Sequence, residues 1–345
     1  MHTADLHLQE KKPETLGTLD SLIELAKKEQ IDLLTIGGDL FDSMADAEAI
    51  RTRVRRNFSG FDFQIIAIPG NHDQRAFREN LDFGSNFQAL IGSPSESYQP
   101  KNDEKVNIVG VPFIPHVTDE LLGDLEEKRK ENSLNILLLH CTLDISFSTD
   151  DFGENESAYF PINRSTLRAL GYDFVLAGHF HTKYDFRDLG SSCRFVYPGS
   201  PISLTWKELG ERRVAFLDTE TQSLSSLILK DSFFRDFLHI DVKIGKEDEC
   251  LQLIDDWVKK IEGKKAELWL RVDGIGELNE IDFRKRLEDF EIIDQIDNDY
   301  RCVIEILQHP LYELFLQKLD ESAAEEKREQ VIQRFIEAMG VLYRR

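Results

Sequence analysis

Ile31-Asp32-Leu33-Leu34-Thr35-Ile36-Gly37-Gly38-Asp39-Leu40-Phe41-Asp42 reads as a short apolar strand that stops on two glycines and hands the chain to a carboxylate-bearing loop. Such a run suits a strand buried on both faces. Upstream, Leu19, Leu22, Ile23 and Ala26 follow helical spacing. The strand-then-loop pattern returns at 64–68 before Pro69-Gly70, at 106–111, at 135–139, and at 173–177 before Gly178. Helical segments near 45–57, 119–131 and 163–170 separate several of these runs. Strands alternating with helices predict an α/β architecture with buried sheets. Further strands near 194–197, 213–218 and 223–229 follow without helices, so the sheets are expected to be mixed.

The pattern changes after residue 230. A strand at 237–242, a helix at 247–261, a strand at 267–272, a helix at 281–290 and a strand at 302–307 describe a small α/β unit. The expected organisation is therefore a first domain over 1–230, a small capping domain over 231–308 and a helical tail over 309–345. Two apolar stripes line that tail: Leu311, Leu314, Phe315 and Leu319, then Val331, Phe335, Ala338 and Leu342. They read either as faces packed on the protein's own core or, being wider than a small helical hairpin needs, as a docking surface for a partner. At the other end, His2-Thr3 leads into Asp5 without an apolar run, so the expectation is that the first strand is missing from this chain.

With 41% hydrophobic and 31% charged residues, the 345-residue chain has the material for a core and is no disordered polymer. Its 42 basic and 64 acidic residues give a formal charge of −22. That excludes a protein that holds nucleic acid by bulk positive charge, leaving local basic patches or metal ions for any such contact. No run approaches the roughly 20 apolar residues that span a bilayer, and no signal peptide is legible, so no membrane role is expected. Cys141, Cys193, Cys250 and Cys302 form no C-x-x-C pair and read as reduced thiols of a cytoplasmic protein.

Five strand-end loops carry the chemistry: Asp5-Leu6-His7, Gly38-Asp39-Leu40-Phe41-Asp42, Gly70-Asn71-His72-Asp73, His140, and Gly178-His179-Phe180-His181. Ligand sites of α/β sheets gather at such ends. Asp5, His7, Asp39, Asn71, His140, His179 and His181 offer oxygen and imidazole donors but no thiolate, a set suited to Mn²⁺, Fe²⁺ or Zn²⁺ in an open site. Seven donors are too many for one ion with a free position and fit two ions sharing Asp39. Two ions about 3.5–4 Å apart generate hydroxide near neutral pH and clamp a phosphoryl group. His72, beside a ligand, is read as a general acid. Asp73 is read as a brace of its loop, and His2 as support behind the site. Arg51, Arg53, Arg55 and Arg56 lie within six residues. They read either as a solvated helix face pairing with Asp46 and Glu48 or as contacts for phosphate groups, with Lys183 and Arg187 as further candidates.

Together these blocks resemble the calcineurin-like metallophosphoesterase superfamily, over residues 1 to about 230. The resemblance implies a β-sandwich flanked by helices. It implies one ion on Asp5, His7, Asp39 and His181, and another on Asp39, Asn71, His140 and His179. It also implies that His72 acts on the leaving group and that Asp42 orients His72, a helix N-cap being the other reading of Asp42. Protein Ser/Thr phosphatases of the superfamily carry a phosphate-binding arginine after the second aspartate of their Gly-Asp block, where this chain has Ser43. His2-Thr3-Ala4-Asp5-Leu6-His7-Leu8 and Tyr197-Pro198-Gly199-Ser200-Pro201 are instead similar to blocks of the bacterial SbcD-type DNA-repair nucleases. That branch implies 3′→5′ exonuclease and endonuclease action on DNA in double-strand-break repair. It further implies Mn²⁺, a homodimer, and an SMC-like ATPase partner of the SbcC type bound through the C-terminal helices. Two other functions stay open at this point: a phosphoesterase of small nucleotides or cyclic nucleotides, and a non-catalytic DNA-end tether.

Overall fold

Alternate side chains of the Leu134–His140 strand explain the architecture, since all seven of its residues are buried. Ile136 and Leu138 point inward to a cluster shared with Ile66, Ile68, Phe174 and Ala215, whereas Leu137 and Leu139 point outward to Leu121, Leu125 and Leu167. A strand apolar on both faces must be covered twice, once by a second sheet and once by helices. The computed structural model, which describes residues 1–78, 82–101, 105–144, 160–322 and 327–343, has that layering. The chain divides into two compact units, Met1–Arg235 and Asp236–Arg345.

In the first unit two six-stranded sheets form an α/β sandwich. One runs in the order Ser223–Ile228, Arg213–Asp218, His2–Thr3, Leu33–Ile36, Gln64–Ala67, Phe87–Ala89. The other runs Asp185–Gly190, Cys193–Tyr197, Phe174–Gly178, Leu134–His140, Val106–Gly110, Glu96–Tyr98. Helices Pro13–Lys28 and Met44–Asn57 pack Leu19, Leu22 and Val54 on the outside of the first sheet. Helices Asp119–Lys128 and Arg164–Leu170 do the same on the second. Each fully buried Leu, Ile or Phe contributes about 1.5–3 kcal/mol by leaving water.

Two residues without an apolar run nonetheless take a central place in the first sheet. His2–Thr3 pairs parallel with Leu33–Ile36 and antiparallel with Arg213–Asp218, so it is an internal strand two residues long. Side-chain pattern did not reveal it because His2 is polar yet 1% exposed. Its Nε2 donates to the carbonyl of Ala177 at 3.2 Å in the opposite sheet, which leaves Nδ1 to meet Thr35 Oγ1 at 2.9 Å in its own. His2 thus ties the two sheets together beneath the site loops.

In the second unit Phe234–Val242, Ala266–Gly276 and Gln295–Cys302 form a three-stranded sheet, with helices Glu247–Ile261 and Glu280–Glu288 on it. The strand expected at 302–307 is displaced: pairing ends at Cys302, and Ile304–Leu307 is a helical turn. The real strand was hidden because one of its faces is polar (Asp297, Asp299, Arg301). Helices Pro310–Ser322 and Arg328–Tyr343 complete the unit, with Phe335, Ile336 and Met339 packed with Val303, Ile244 and Ile275. Residues 323–326 of the tail lie outside the described residues, as does the side chain of Leu342 from the second stripe. Among the described residues no helix is long and apolar enough to cross a membrane.

Burial pushes the His2 pKa down to about 3, against about 6.5 in an unfolded chain. Above pH 6.5 both states are neutral and the fold keeps its full stability. As the pH falls from 6.5 toward 3 only the unfolded chain takes up the proton, so stability is lost at up to about 1.4 kcal/mol per pH unit. His2→Gln is expected to make the decline of urea stability between pH 6.5 and 4.5 shallower by that amount. An identical decline in both proteins would refute a buried neutral His2.

Candidate metal centre

Loops from the two sheets meet at one edge of the sandwich, those of the first sheet joined to each other by backbone pairing. Asp5 N–H donates to Gly38 O at 3.1 Å, His7 N–H to Asp39 O at 3.0 Å and Leu8 N–H to Leu40 O at 2.9 Å. Across the sheets, both oxygens of Asp5 accept the His179 N–H at 3.0 Å. Four of the polar residues gathered here sit at left-handed φ: Asp5 at 56°, His7 at 43°, Asp39 at 51° and His179 at 94°. Each such residue costs on the order of 1–3 kcal/mol, a strain found where side chains are aimed for function. Two glycines make room for them. A Cβ on Gly70 would collide with the Asp39 carboxylate, and one on Gly38, itself at φ 102°, with the His140 ring.

Three histidines share one orientation. His140 Nδ1 lies 2.9 Å from the carbonyl of Gly37, His7 Nδ1 lies 3.2 Å from Asp42 Oδ1, and His181 Nδ1 lies 3.4 Å from Glu208 Oε1. A carbonyl or carboxylate only accepts, so in each neutral ring Nδ1 carries the hydrogen and Nε2 presents a lone pair. Those lone pairs converge. His7 Nε2 and His181 Nε2 are 3.3 Å apart, and His140 Nε2 is 3.3 Å from Asp39 Oδ2 and 2.9 Å from Asn71 Oδ1. Asp39 Oδ2 also lies 3.8 Å from His7 Nε2, and Asp5 Oδ1 lies 3.7 Å from His181 Nε2. Acceptors facing acceptors at these distances repel unless positive charge lies among them. The donor set therefore fits divalent cations, and Asp39, standing between His7 and His140, has the position of a shared ligand. Among the described residues, Asp5 with His7 and His181, and Asp5 with Asp39 and His140, each bring their ligand atoms within 4.8 Å of one another. The ring of His179 lies 5.2 Å from that of His140.

The ionisation of the cluster follows from the same geometry. Burial opposes charge on both Asp39 and His140, yet His140, then His7 and His72, hold the Asp39 carboxyl well below its ordinary range. In return Asp39 raises His140 to about 9 against the effect of burial. A cation in the cluster takes the place of that proton. His179 is pushed well below its usual value, first by burial and then by its histidine neighbours, so it stands as a neutral imidazole.

All nine residues expected at the centre come together, with one change of role. The Asp42 carboxylate meets His7, not His72; it is the backbone carbonyl of Asp42 that lies 3.2 Å from His72 Nδ1. Nor is Asp42 the cap of helix Met44–Asn57, since Ser43 supplies that N-cap. His72 is exposed, its N–H donates to Asp39 Oδ1 at 3.0 Å, and its ring stands edge-on to His7 at 4.8 Å. Asp73 braces its loop as expected, accepting from Gly70 N at 2.8 Å and Phe41 N at 3.2 Å. Burial, then Asp39, pushes Asp73 up to about 7.

Two contributors escaped the sequence reading. Glu208, 3% exposed, aims His181 and accepts from Thr205 N. Arg212, also 3% exposed, donates to His181 O at 2.7 Å, Thr182 O at 3.0 Å and Ser200 O at 2.8 Å. Ser200 in turn donates to Asp5 O at 2.8 Å, which gives the Tyr197-Pro198-Gly199-Ser200 block a structural task. Nothing in the spacing of Glu208 from His181 marks their contact. The arginine cluster is different again. Its residues start roughly 12 Å along the helix from Ser43, where Arg53 pairs with Asp20 and Arg55 with Asp82, each at 3.0 Å, not with Asp46 or Glu48.

The sequence model of the calcineurin-like phosphoesterases matches residues 1–183. The chain belongs to that family. The family is hydrolytic and metal-dependent, in keeping with the donor set above. Among curated proteins this phosphoesterase is similar to the DNA double-strand break repair protein Mre11 of Saccharolobus solfataricus, 24% identical over 61% of this chain and 56% of the relative. It is similar to Mre11 of Sulfurisphaera tokodaii at 27% identity, over 61% of this chain and 55% of the relative. The SbcD subunit of the nuclease SbcCD from Staphylococcus epidermidis is 24% identical over 65% of this chain and 67% of the relative. The chain thus spans little more than half the length of the two archaeal relatives it matches.

Glu208→Ala frees the His181 ring to turn, and support of this kind is worth about 10–100-fold in metal affinity. A Mn²⁺ titration followed by calorimetry is expected to show a loss of that size in one of two sites. Equal affinity in variant and parent would assign Glu208 to folding alone.

Proposed function

We propose that the chain is a dinuclear-metal phosphodiesterase acting on DNA, the nuclease subunit of a complex with an SMC-like ATPase, working in the cytoplasm. The observation that carries the metal chemistry is the convergence of three Nε2 lone pairs on Asp5 and Asp39. In this reading one ion is held by Asp5, His7, Asp39 and His181, and a second by Asp39, Asn71, His140 and His179. Bound there, the ion pair, Mn²⁺ by preference, supplies an activated water and a clamp on the phosphoryl oxygens. The chain's own residues do the rest. Asp42 and Glu208 fix the two imidazoles on one side, and Gly37 fixes His140. His72, its Nδ1–H donated to the Asp42 carbonyl, turns Nε2 outward and, as the imidazolium, gives the Nε2 proton to the departing oxygen, ending as the neutral ring.

DNA as substrate is supported by the relatives, which are named as break-repair and nuclease proteins. Within the arginine helix, Arg51 and Arg56 have no ion pair among the described residues and supply phosphate contacts, Arg53 and Arg55 serving mainly their aspartates. In the tail Phe315 stacks on Phe335 at 4.0 Å, while Leu311 and Leu314 remain 51% and 52% exposed. That uncovered stripe is the surface offered to the ATPase, and a homodimer forms the working assembly.

Linear DNA is expected to be degraded from 3′ ends and cut internally with Mn²⁺, and a chelator to abolish both activities. His72→Ala should slow hydrolysis by about 10²–10⁴-fold while Mn²⁺ still binds. Hydrolysis of cyclic nucleotides alone would move the assignment to small substrates, and DNA binding without any hydrolysis would make the chain a tether.

A further inference from the structure

Beside the His179–His181 loop lies a concavity of about 470 Å³ whose lining includes Thr182, Lys183, Asp185, Arg187, Lys207 and Leu209. A second hollow of about 260 Å³ adjoins it and shares Lys183 and Leu209. Three cations face a single carboxylate there, Asp185, which lies 2.7 Å from Arg187 Nη2. A local excess of positive charge is unusual on a chain whose formal charge is −22. Lys183 and Lys207 are both exposed. Leu209, 39% exposed, adds an apolar edge between the two hollows.

The concavity is rigidly tied to the metal-binding cluster. Lys183 is two residues from His181, so their Cα atoms are within roughly 7 Å. Lys207 precedes Glu208, whose carboxylate aims His181. Arg212 locks the carbonyls of His181 and Thr182 at 2.7 and 3.0 Å. None of the hydrolytic steps above uses these lysines.

We infer that this groove is the phosphate-binding track for the DNA strand that flanks the scissile bond. Lys183 and Lys207 meet successive backbone phosphates, Arg187 serving mainly Asp185, and Leu209 packs against a sugar or base. The inference rests on the reading of the chain as a DNA phosphodiesterase and adds where the strand runs. It explains how an acidic protein holds a polyanion: the overall charge repels DNA, and a short cationic strip leading away from the cluster selects substrates longer than one phosphodiester.

The test compares the full chain with the double variant Lys183→Ala/Lys207→Ala, and with Lys183→Arg/Lys207→Arg. Binding of a fluorescent linear DNA is measured in Ca²⁺ over a range of salt concentrations. Hydrolysis of that DNA and of bis(4-nitrophenyl) phosphate is measured in Mn²⁺. The alanine pair is expected to weaken DNA binding about ten-fold and to lower the slope of log affinity against log salt by about 1.8, two phosphates' worth. The ratio of kcat/KM for DNA to that for the small diester falls about ten-fold, and the arginine pair restores both slope and ratio. Unchanged slope and ratio in the alanine pair, with parent DNA binding intact, overturn the groove and leave the DNA reading standing. A parent that hydrolyses the small diester but binds no DNA overturns both.

Discussion

Three imidazoles whose Nδ1 atoms are committed to acceptors, and whose Nε2 atoms face one another and two buried carboxylates, form an arrangement that only positive charge makes stable. His7 and His181 turn lone pairs toward each other at 3.3 Å, and His140 turns its own toward Asp39 at 3.3 Å. Within the protein alone, protons satisfy this demand, which is why His140 is driven up and Asp39 down. A pair of divalent cations satisfies it without protons and brings Lewis acidity with it. The rest of the first unit can be understood as the means of holding these groups in place.

No single strand could do so, because the donors come from loops on two sheets. The backbone joins the loops of the first sheet to each other, and Asp5 joins them to the second by accepting the His179 N–H. His2 bridges the sheets below, and Ser200 with Arg212 secures the loops from the side. Left-handed backbone at Asp5, His7, Asp39 and His179 works against folding, at on the order of 1–3 kcal/mol each. The apolar layers that cover Leu134–His140 on both faces offset it. Strain at the site and burial in the sandwich are thus two sides of one design.

The charge distribution has the same local logic. An acidic net charge sets a negative field over most of a surface, and that field is reversed only where cations outnumber carboxylates locally. Arg53 and Arg55 are tied to Asp20 and Asp82, so half of the arginine cluster is neutralised. Beside the His179–His181 loop, by contrast, cations outnumber the carboxylate that faces them.

Sequence alone picked out the candidate donors and most of the strands that present them. Asp39, Asn71, His140 and His179 each end or follow an apolar run bounded by glycine or a loop, and that periodicity is a local property of the chain. It could not reveal the strand His2–Thr3, which is polar yet buried and is held by backbone hydrogen bonds on both edges and by the His2 ring. Nor could it reveal that Asp42 serves His7, that Glu208 serves His181, or that Arg212 stitches their loops. Those partners lie 35, 27 and 31 residues apart in the chain, which has no period linking them. Only the packing of one sheet on the other brings them within reach, because hydrogen bonds are decided by distances in space and the chain's own pattern encodes only which faces are buried.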